Sequence, residues 1–250
     1  ISEFVSKFIP SKIVNHPEIQ NLKNTEEIYQ KLNENNFNII SAAFISADKQ
    51  LEYNEKIDSS LSGTTCCLII HIGTHIICAN IGDSRALLIH NIPGNTSDIN
   101  YWDVSQISTD HKPEISKEWN RIIMKQGVIE QTRDQFGRRY GPYRVWFKGR
   151  NYPGLDISRS IGDFEGKKIG IIPNPEISSF NLNNSTKFIV ICSDGVCEFI
   201  NNRKIMNIGI NYYLLNNAED FCEELVKEAF HQWDENDNII DDITAVVVFF

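Results

Sequence analysis

The sequence predicts an α+β fold in which mainly antiparallel sheets are layered together and flanked by helices. Three observations carry that expectation. Apolar residues recur at helical spacing through about the first 57 residues. After Gly63 the pattern changes to short β-rich runs separated by turn signals, with strands and helices interleaved from there on. Hydrophobic residues make up 41% of the 250, many of them Ile and Val, and stacked sheets covered by helices bury such side chains well.

The elements follow in order. In EFVSKFIPSKIV, Phe4, Val5, Phe8 and Ile9 share one helical face until Pro10, which is expected to interrupt the helix. Asn24 is a helix cap with Glu27 three residues on, the arrangement of a capping box. Ile28, Leu32, Ile39, Ile40, Ala43 and Phe44 then supply the apolar face of a long helix or a broken pair running to about residue 57. CCLIIHI, Gly73-Thr74 and HIICANI read as a β-hairpin. A loop around Pro93, Gly94 and Asn95 follows. Pro113 opens a helix whose apolar face is Ile115, Trp119, Ile122 and Ile123, ended by Gly127. Residues 131–154 are polar, aromatic and glycine-rich, which suggests an irregular excursion over a surface. FIVIC is a buried strand, AEDFCEELVKEAFHQW an amphipathic helix and TAVVVFF a last buried strand. No internal repeat or domain boundary interrupts the series.

Composition narrows the function. A 28.7 kDa chain of this hydrophobicity hides roughly three quarters of its unfolded surface, which excludes wholesale disorder. A net charge of −9 argues against a general binder of nucleic-acid backbones. No apolar run spans a bilayer, and the opening residues ISEFVSKFIP show no signal-peptide pattern. The six cysteines lack CxxC or zinc-like spacing, and several lie in apolar runs. Reduced, buried thiols in an intracellular protein, cytoplasmic or nuclear, are the economical reading, and the sequons at Asn95, Asn183 and Asn184 then carry no meaning.

Candidate chemistry gathers on acids at strand ends. Asp194 directly follows FIVICS, and Asp241 and Asp242 directly precede ITAVVVFF. If these two strands pair antiparallel, carboxylates 47 residues apart meet at one sheet edge. Clustered carboxylates without thiol or imidazole partners suit hard cations such as Mg²⁺ or Mn²⁺, while a single Asp at a strand end is more often a turn former. Asp83 in IGDSRA, Asp110 in STDHKP and Asp163 in SIGDFEG also follow apolar runs. His111 could serve a hydrolase as a base, but beside Pro113 its expected task is local hydrogen bonding at a helix start. No GxSxG elbow, P-loop or GxGxxG motif is present.

Seven blocks also stand in a characteristic order: SGTTCCLII (62–70), ANIGDSRALL (79–88), STDHKPEISKEWNRI (108–122), RVWFKGRNYPGLDISRSIGD (144–163), GIIPNPEI (170–177), FIVICSDGVCEFI (188–200) and DDITAVVVFF (241–250). The series resembles the metal-dependent protein Ser/Thr phosphatases of type 2C. That resemblance implies a single domain over residues 1–250, folded as a four-layer αββα sandwich whose two sheets hold a binuclear Mg²⁺ or Mn²⁺ centre. Metal-bound water would attack phosphoserine or phosphothreonine. Asp194 and Asp241 resemble ligands of the core centre, and Asp110 resembles the partner of Asp194 at a weaker third-metal site. Gly195 would let the backbone turn tightly behind Asp194. Asp83, Arg85, Ser158, Arg159 and Asp163 would brace the site, and residues 131–154 resemble the flap beside it. Phosphoprotein substrates are implied; a monomer is the expectation where the sequence leaves the oligomeric state open, with neither nucleic acid nor membrane insertion expected.

The chain departs from the family pattern at its start. The acidic E-D turn, the phosphate-binding Arg and the bridging Asp of a DGHGG turn are not in this sequence, which begins at Ile1, about where that turn would end. The expectation is that further strands precede Ile1 in the complete protein. The alternative is a catalytically inactive type 2C-like domain that binds phosphoproteins or regulates a partner.

Overall fold

The computed structural model describes residues 1–91, 98–237 and 239–250; the loop expected around Pro93, Gly94 and Asn95 lies outside the described residues. Among the described residues the chain begins with helices α1 (Ser2–Val14), α2 (Thr25–Asn33) and α3 (Asn38–Glu52). Strands β1 (Gly63–Thr64), β2 (Cys66–Ile72), β3 (His75–Ile81), β4 (Arg85–Asn91) and β5 (Trp102–Gln106) come next. Then follow α4 (Ser116–Met124), β6 (Gly127–Arg133), β7 (Arg139–Phe147), β8 (Pro153–Leu155), β9 (Ile161–Gly162) and α5 (Phe164–Lys167). The last elements are β10 (Glu176–Asn181), β11 (Thr186–Cys192), α6 (Asp194–Cys197), α7 (Asn202–Leu214), α8 (Ala218–Asn236) and β12 (Ala245–Phe249). The chain forms two compact units, one of Ile1–Leu68, Ala79–Asp83 and Asp110–Ile177, the other of Ile69–Cys78, Ser84–Thr109 and Ser178–Phe250.

In the first unit, α1 does not stop at Pro10 as expected but continues to Val14. An interior proline loses a hydrogen bond and strains the preceding turn, at a cost of about 3 kcal/mol. Val5, Ile9 and Ile13, spaced by four, are buried where α1 packs on α3, and full burial of each such side chain contributes about 1.5–3 kcal/mol. Packing outweighs the proline. The Asn24 side chain caps α2, its Oδ1 accepting from the N–H of Glu26 at 2.9 Å and of Glu27 at 3.4 Å. Of the two expected alternatives the broken pair is found, because Asn35, Asn36 and Phe37 all take positive φ, and its second member ends at Glu52 rather than near 57.

Two further expectations fail in this unit. In α4 the buried residues are Glu118 and Ile122, whereas Ile115, Trp119 and Ile123 are 38%, 37% and 46% exposed. Of the expected apolar face only Ile122 is buried, because the buried side is set also by the partners of the Glu118 carboxylate described below. Residues 131–154 are not irregular either. Strands β6, β7 and β8 form an antiparallel sheet, with Gly127 opposite Phe147 and Glu130 opposite Arg144. Ile129 and Val145 carry its apolar side into a core with Ile122, Ile169 and Ile171, so the remaining polar side chains had hidden a regular alternation. The Asp134 carboxylate organises the β6–β7 tip by accepting from the N–H groups of Phe136 and Arg138 at 2.8 and 2.9 Å.

The second unit is built on a four-stranded sheet in the order β12-β11-β4-β5. One face, through Leu87, Ile89, Phe188 and Val190, packs on Ile205, Met206 and Ile210 of α7 and Phe221, Leu225 and Ala229 of α8. The other, through Leu88 and Ile189, packs on Ile76 of β3 with Ile69 and Phe180 alongside, from the sheet ordered β10-β3-β2. Burial on both faces is why FIVIC reads as an unbroken apolar run rather than an alternation. Helix α7 had no clear signal in the sequence; Asn201 caps it by accepting from Lys204 N–H at 2.9 Å. The last strand, expected to be buried, is an edge strand with Val246 and Val248 48% and 40% exposed. Its continuous valines satisfy β propensity without requiring two covered faces.

Candidate active site

The juxtaposition expected of Asp194 and Asp241 is present in the second unit. β11 and β12 pair antiparallel with Cys192 opposite Ala245, so the end of one and the start of the other share a sheet edge. Hydrogen bonds extend the pairing into both turns: Ser193 N–H donates to Thr244 O at 3.0 Å, Ser193 Oγ to Asp242 O at 2.9 Å, and Thr244 N–H to Ser193 Oγ at 3.1 Å. Gly195 is required here, but not for the tight turn expected behind Asp194. Its φ is not positive; instead a Cβ on it would stand 2.4 Å from the Asp242 carbonyl oxygen. Glycine lets the segment carrying Asp241 and Asp242 cross directly over the start of α6. Trp233 of α8 fixes the same turn from behind, its Nε1–H donating to Gly195 O at 2.6 Å.

The carboxylates themselves engage their own turns. Asp194 Oδ1 accepts from Gly195 N–H at 3.0 Å and Asp241 Oδ1 from Asp242 N–H at 2.7 Å, with Asp194 half-buried and Asp241 exposed. Their chemistry suits a hard cation, since both offer carboxylate oxygen. Their number does not complete one: among the described residues no group of three or more His, Cys, Asp or Glu side chains could hold a metal ion. Arg85, also in this unit, donates from Nη1 to Asn202 Oδ1 at 2.8 Å and so ties β4 to the start of α7.

Asp110 belongs to the first unit, on a loop held by a buried polar network. Asp83 is buried and ion-paired with Lys112, while His111 N–H donates to Gly82 O at 3.0 Å. Burial pushes the Asp83 carboxyl up and Lys112 pulls it back, leaving it above the usual carboxylate range. Ser158 N–H donates to the carbonyl of His111 at 2.8 Å. The His111 side chain does not do the hydrogen bonding expected of it. Among the described residues neither ring nitrogen makes a hydrogen bond; Nε2 lies 3.7 Å from Glu176 Oε2. Burial, reinforced by the charge on Arg159, holds that imidazole neutral with a pKa of about 4.

Glu118 is the centre of this network and was missed by sequence reasoning. Arg159 meets its carboxylate through two nitrogens, Nη2 at 2.7 Å and Nε at 3.1 Å. Arg121 Nη2 and Ser158 Oγ each reach Oε2 at 2.7 Å. Burial pushes the Glu118 carboxyl up, but the hydrogen bonds from Arg159, Arg121 and Ser158 outweigh it and hold the pKa well below the usual range. The signal that could have found Glu118 is an acid on the same helical side as Ile122, in a chain that also offers Arg159 between Ile157 and Ile161.

Asp163 sits apart from these ties, at the start of α5 with φ 52°. Its carboxylate occupies the space a side chain would need at residue 63: a Cβ on Gly63 would lie 1.9 Å from Asp163 Oδ2. The SGTT and SIGD blocks are therefore complementary halves of one contact, with β1 and β9 pairing Gly63 to Gly162. Burial pushes the Asp163 carboxyl up, against the nearby Lys167. Lys167 in turn pairs with Asp48 at 3.1 Å, and Asp48 accepts from Gly162 N–H at 2.9 Å.

Comparison with known proteins places this sheet-and-helix architecture, with its motif contacts, in one family. The family model for protein phosphatase 2C matches residues 3–238. The chain is 33% identical over 211 residues to "Probable protein phosphatase 2C 12" of Oryza sativa subsp. japonica, covering 84% of this chain and 51% of that one. It is 34% identical over 209 residues to "Probable protein phosphatase 2C 34" of Arabidopsis thaliana, covering 82% and 54% respectively. The crystal structure of serine-threonine phosphatase 2C from Toxoplasma gondii superposes with a TM-score of 0.82 at 18% identity, over 100% of this chain and 80% of that one. The chain belongs to the protein phosphatase 2C family and has its α+β sandwich fold. It spans about half of the length of these curated relatives. No helix among the described residues is long and apolar enough to cross a membrane.

Proposed function

We propose that the protein is a metal-dependent protein serine/threonine phosphatase. The reaction is hydrolysis of a phosphomonoester: water attacks phosphorus, the bond from phosphorus to the seryl or threonyl oxygen breaks, and the alcohol leaves with a proton as inorganic phosphate is released. Family membership supports the activity, and the single observation that carries the site is the meeting of the Asp194 and Asp241 turns through the β11–β12 register. In the complete protein Asp194 and Asp241 would contribute carboxylates to a two-ion Mg²⁺ or Mn²⁺ centre, with Asp110 at a third site. Such ions, when bound, make water acidic enough to attack at neutral pH and offset charge on the phosphoryl oxygens. The part assigned to this chain's other residues is positional. Asp83, Lys112, Ser158, Arg159 and Glu118 fix the loop of Asp110, and Gly195 with Ser193 fixes the two acidic turns against each other.

A second reading is a catalytically inactive domain that binds phosphoproteins, and the incomplete ligand set among the described residues favours it. One experiment separates the two. Hydrolysis of a phosphothreonine peptide is measured with and without Mn²⁺ for the protein, Asp194→Asn and Asp241→Asn, with thermal unfolding of all three. Mn²⁺-dependent turnover that both substitutions abolish, at unchanged melting temperature, is the expected result. Equal turnover in all three sinks the assignment of these carboxylates, and no turnover from the folded, Mn²⁺-saturated protein selects the inactive reading.

A further inference from the structure

The sheet of β6, β7 and β8 carries a groove of about 710 Å³ on its outer side, lined by Val128, Glu130, Thr132, Trp146 and the turn from Lys148 to Asn151. That volume lies within the range of sites that take a small ligand or a short peptide segment. Its charge is opposite to that of the protein. Its lining holds three basic side chains, Arg133, Lys148 and Arg150, and one acidic one, Glu130, in a chain whose net charge is −9. At physiological salt the Debye length is about 8 Å, so carboxylates elsewhere on the surface are screened and the local excess of cations decides what approaches.

The cations are also held ready. Arg150 lies over the rings of Phe147 and Tyr152, 5.8 and 5.5 Å from their centroids, which limits the side-chain freedom that binding would otherwise remove. Arg133 and Lys148 line the same groove and are exposed. Glu130, the carboxylate in the groove, is answered by Arg133 at 3.7 Å. Trp146 gives an apolar floor, its Nε1–H satisfied by Glu130 O at 3.0 Å and its ring so close to Gly154 that a Cβ there would lie 2.7 Å away.

We propose that this groove docks a short acidic segment of a partner protein, its carboxylates or phosphates meeting Arg133, Lys148 and Arg150 and an apolar side chain resting on Trp146. The docking goes beyond the phosphatase reading and does not require turnover. It is tested by fluorescence anisotropy with a labelled twelve-residue peptide of alternating Glu and Leu, against the same peptide with every Glu replaced by Gln, and against a single-stranded oligonucleotide of equal charge. Lys148→Glu/Arg150→Glu is expected to raise Kd about tenfold or more. Lys49→Glu/Lys227→Glu, which changes net charge equally at exposed positions on α3 and α8, is expected to leave Kd within about twofold. Trp146→Phe removes a binding-induced change in tryptophan emission while the protein's melting temperature stays in place. Equal Kd values for the two charge-reversal variants overturn the site. Equal binding of the Glu and Gln peptides overturns the charge argument, and an oligonucleotide that binds as tightly as the peptide overturns the choice of a protein partner.

Discussion

Replacing Glu118 with Gln changes one oxygen to an amide nitrogen and removes the negative charge that Arg159 Nε and Arg121 Nη2 both hydrogen-bond. The carboxylate accepts four hydrogen bonds: two from Arg159, one from Arg121 and one from Ser158. An amide can accept through one oxygen, and its NH₂ would face guanidinium groups that also only donate. The loss of at least two bonds to a charged group, at about 1.5–3 kcal/mol each, agrees with the roughly 3–5 kcal/mol found when one partner of a buried ion pair is removed. With side-chain exposures of 2% for Glu118 and 5% for Arg159, solvent cannot make up that difference. A destabilisation of about 3–5 kcal/mol at pH 7 is expected, read from urea unfolding followed by circular dichroism.

The same carboxylate sets how that gap depends on pH. Its pKa in the folded protein is held below the ordinary value of 4.5, so on acidification the unfolded chain takes up the proton first. Stability from this group is complete above about pH 4.5 and drains away as pH falls further toward the folded value. The Gln variant has nothing to lose there, so the gap between the two proteins must narrow below pH 4.5. Asp83 and Asp163, whose pKa values burial raises, contribute to both proteins alike and cancel in the difference. A gap below about 1 kcal/mol at pH 7, on the scale of an exposed pair, or a gap that stays constant down to pH 3.5, would refute the argument.

Three other outcomes follow from the same geometry. Gly195→Ala places a methyl 2.4 Å from a backbone oxygen, and about 1–3 kcal/mol of destabilisation is expected in thermal unfolding; an unchanged midpoint would mean the Asp242 segment does not cross there. Burial pushes the Cys66 thiol up to about 12, so its alkylation at pH 8 should run on the order of a thousandfold slower than an unperturbed thiol, which peptide mass spectrometry after timed iodoacetamide would show or contradict. His111, with a pKa of about 4, should keep a neutral-imidazole NMR signal at pH 5.5, assigned by its loss in His111→Asn; a midpoint near 6.5 would place the ring in solvent.

Much of the fold was legible because local signals and burial agreed. FIVIC and the CCLIIHI–HIICANI hairpin are strands in the structure, and the end-to-start relation of Asp194 and Asp241 required only that two recognisable strands be antiparallel neighbours. The failures share a different cause. Pro10 stays inside α1 because Val5, Ile9 and Ile13 find α3, and α4 turns Glu118 inward because Arg159 lies 41 residues away in sequence. A local pattern cannot weigh a partner it does not contain. Residues 131–154 failed for a third reason: a sheet with one wet face leaves that stretch only Val145 and the half-buried Phe147 on the core of Ile129, too few to show a period.

That distinction also sorts the acids, which look alike in sequence. Asp83, Glu118 and Asp48 lie at 4%, 1% and 8% exposure, each within ion-pair distance of Lys112, Arg159 or Lys167. A carboxylate whose charge is answered by a fixed cation in a low-dielectric interior gains little from a metal ion, since the ion would have to displace that partner. Such acids brace the loop and strand junctions that the family motifs mark. Asp194 and Asp241 differ in kind: they stand at the end of one strand and the start of the next, half-buried and exposed, and take hydrogen bonds from the N–H of the residue that follows each. The carboxylates proposed as metal ligands are those the fold positions by backbone register, and the motif acids buried deepest in it are the ones whose removal should cost stability.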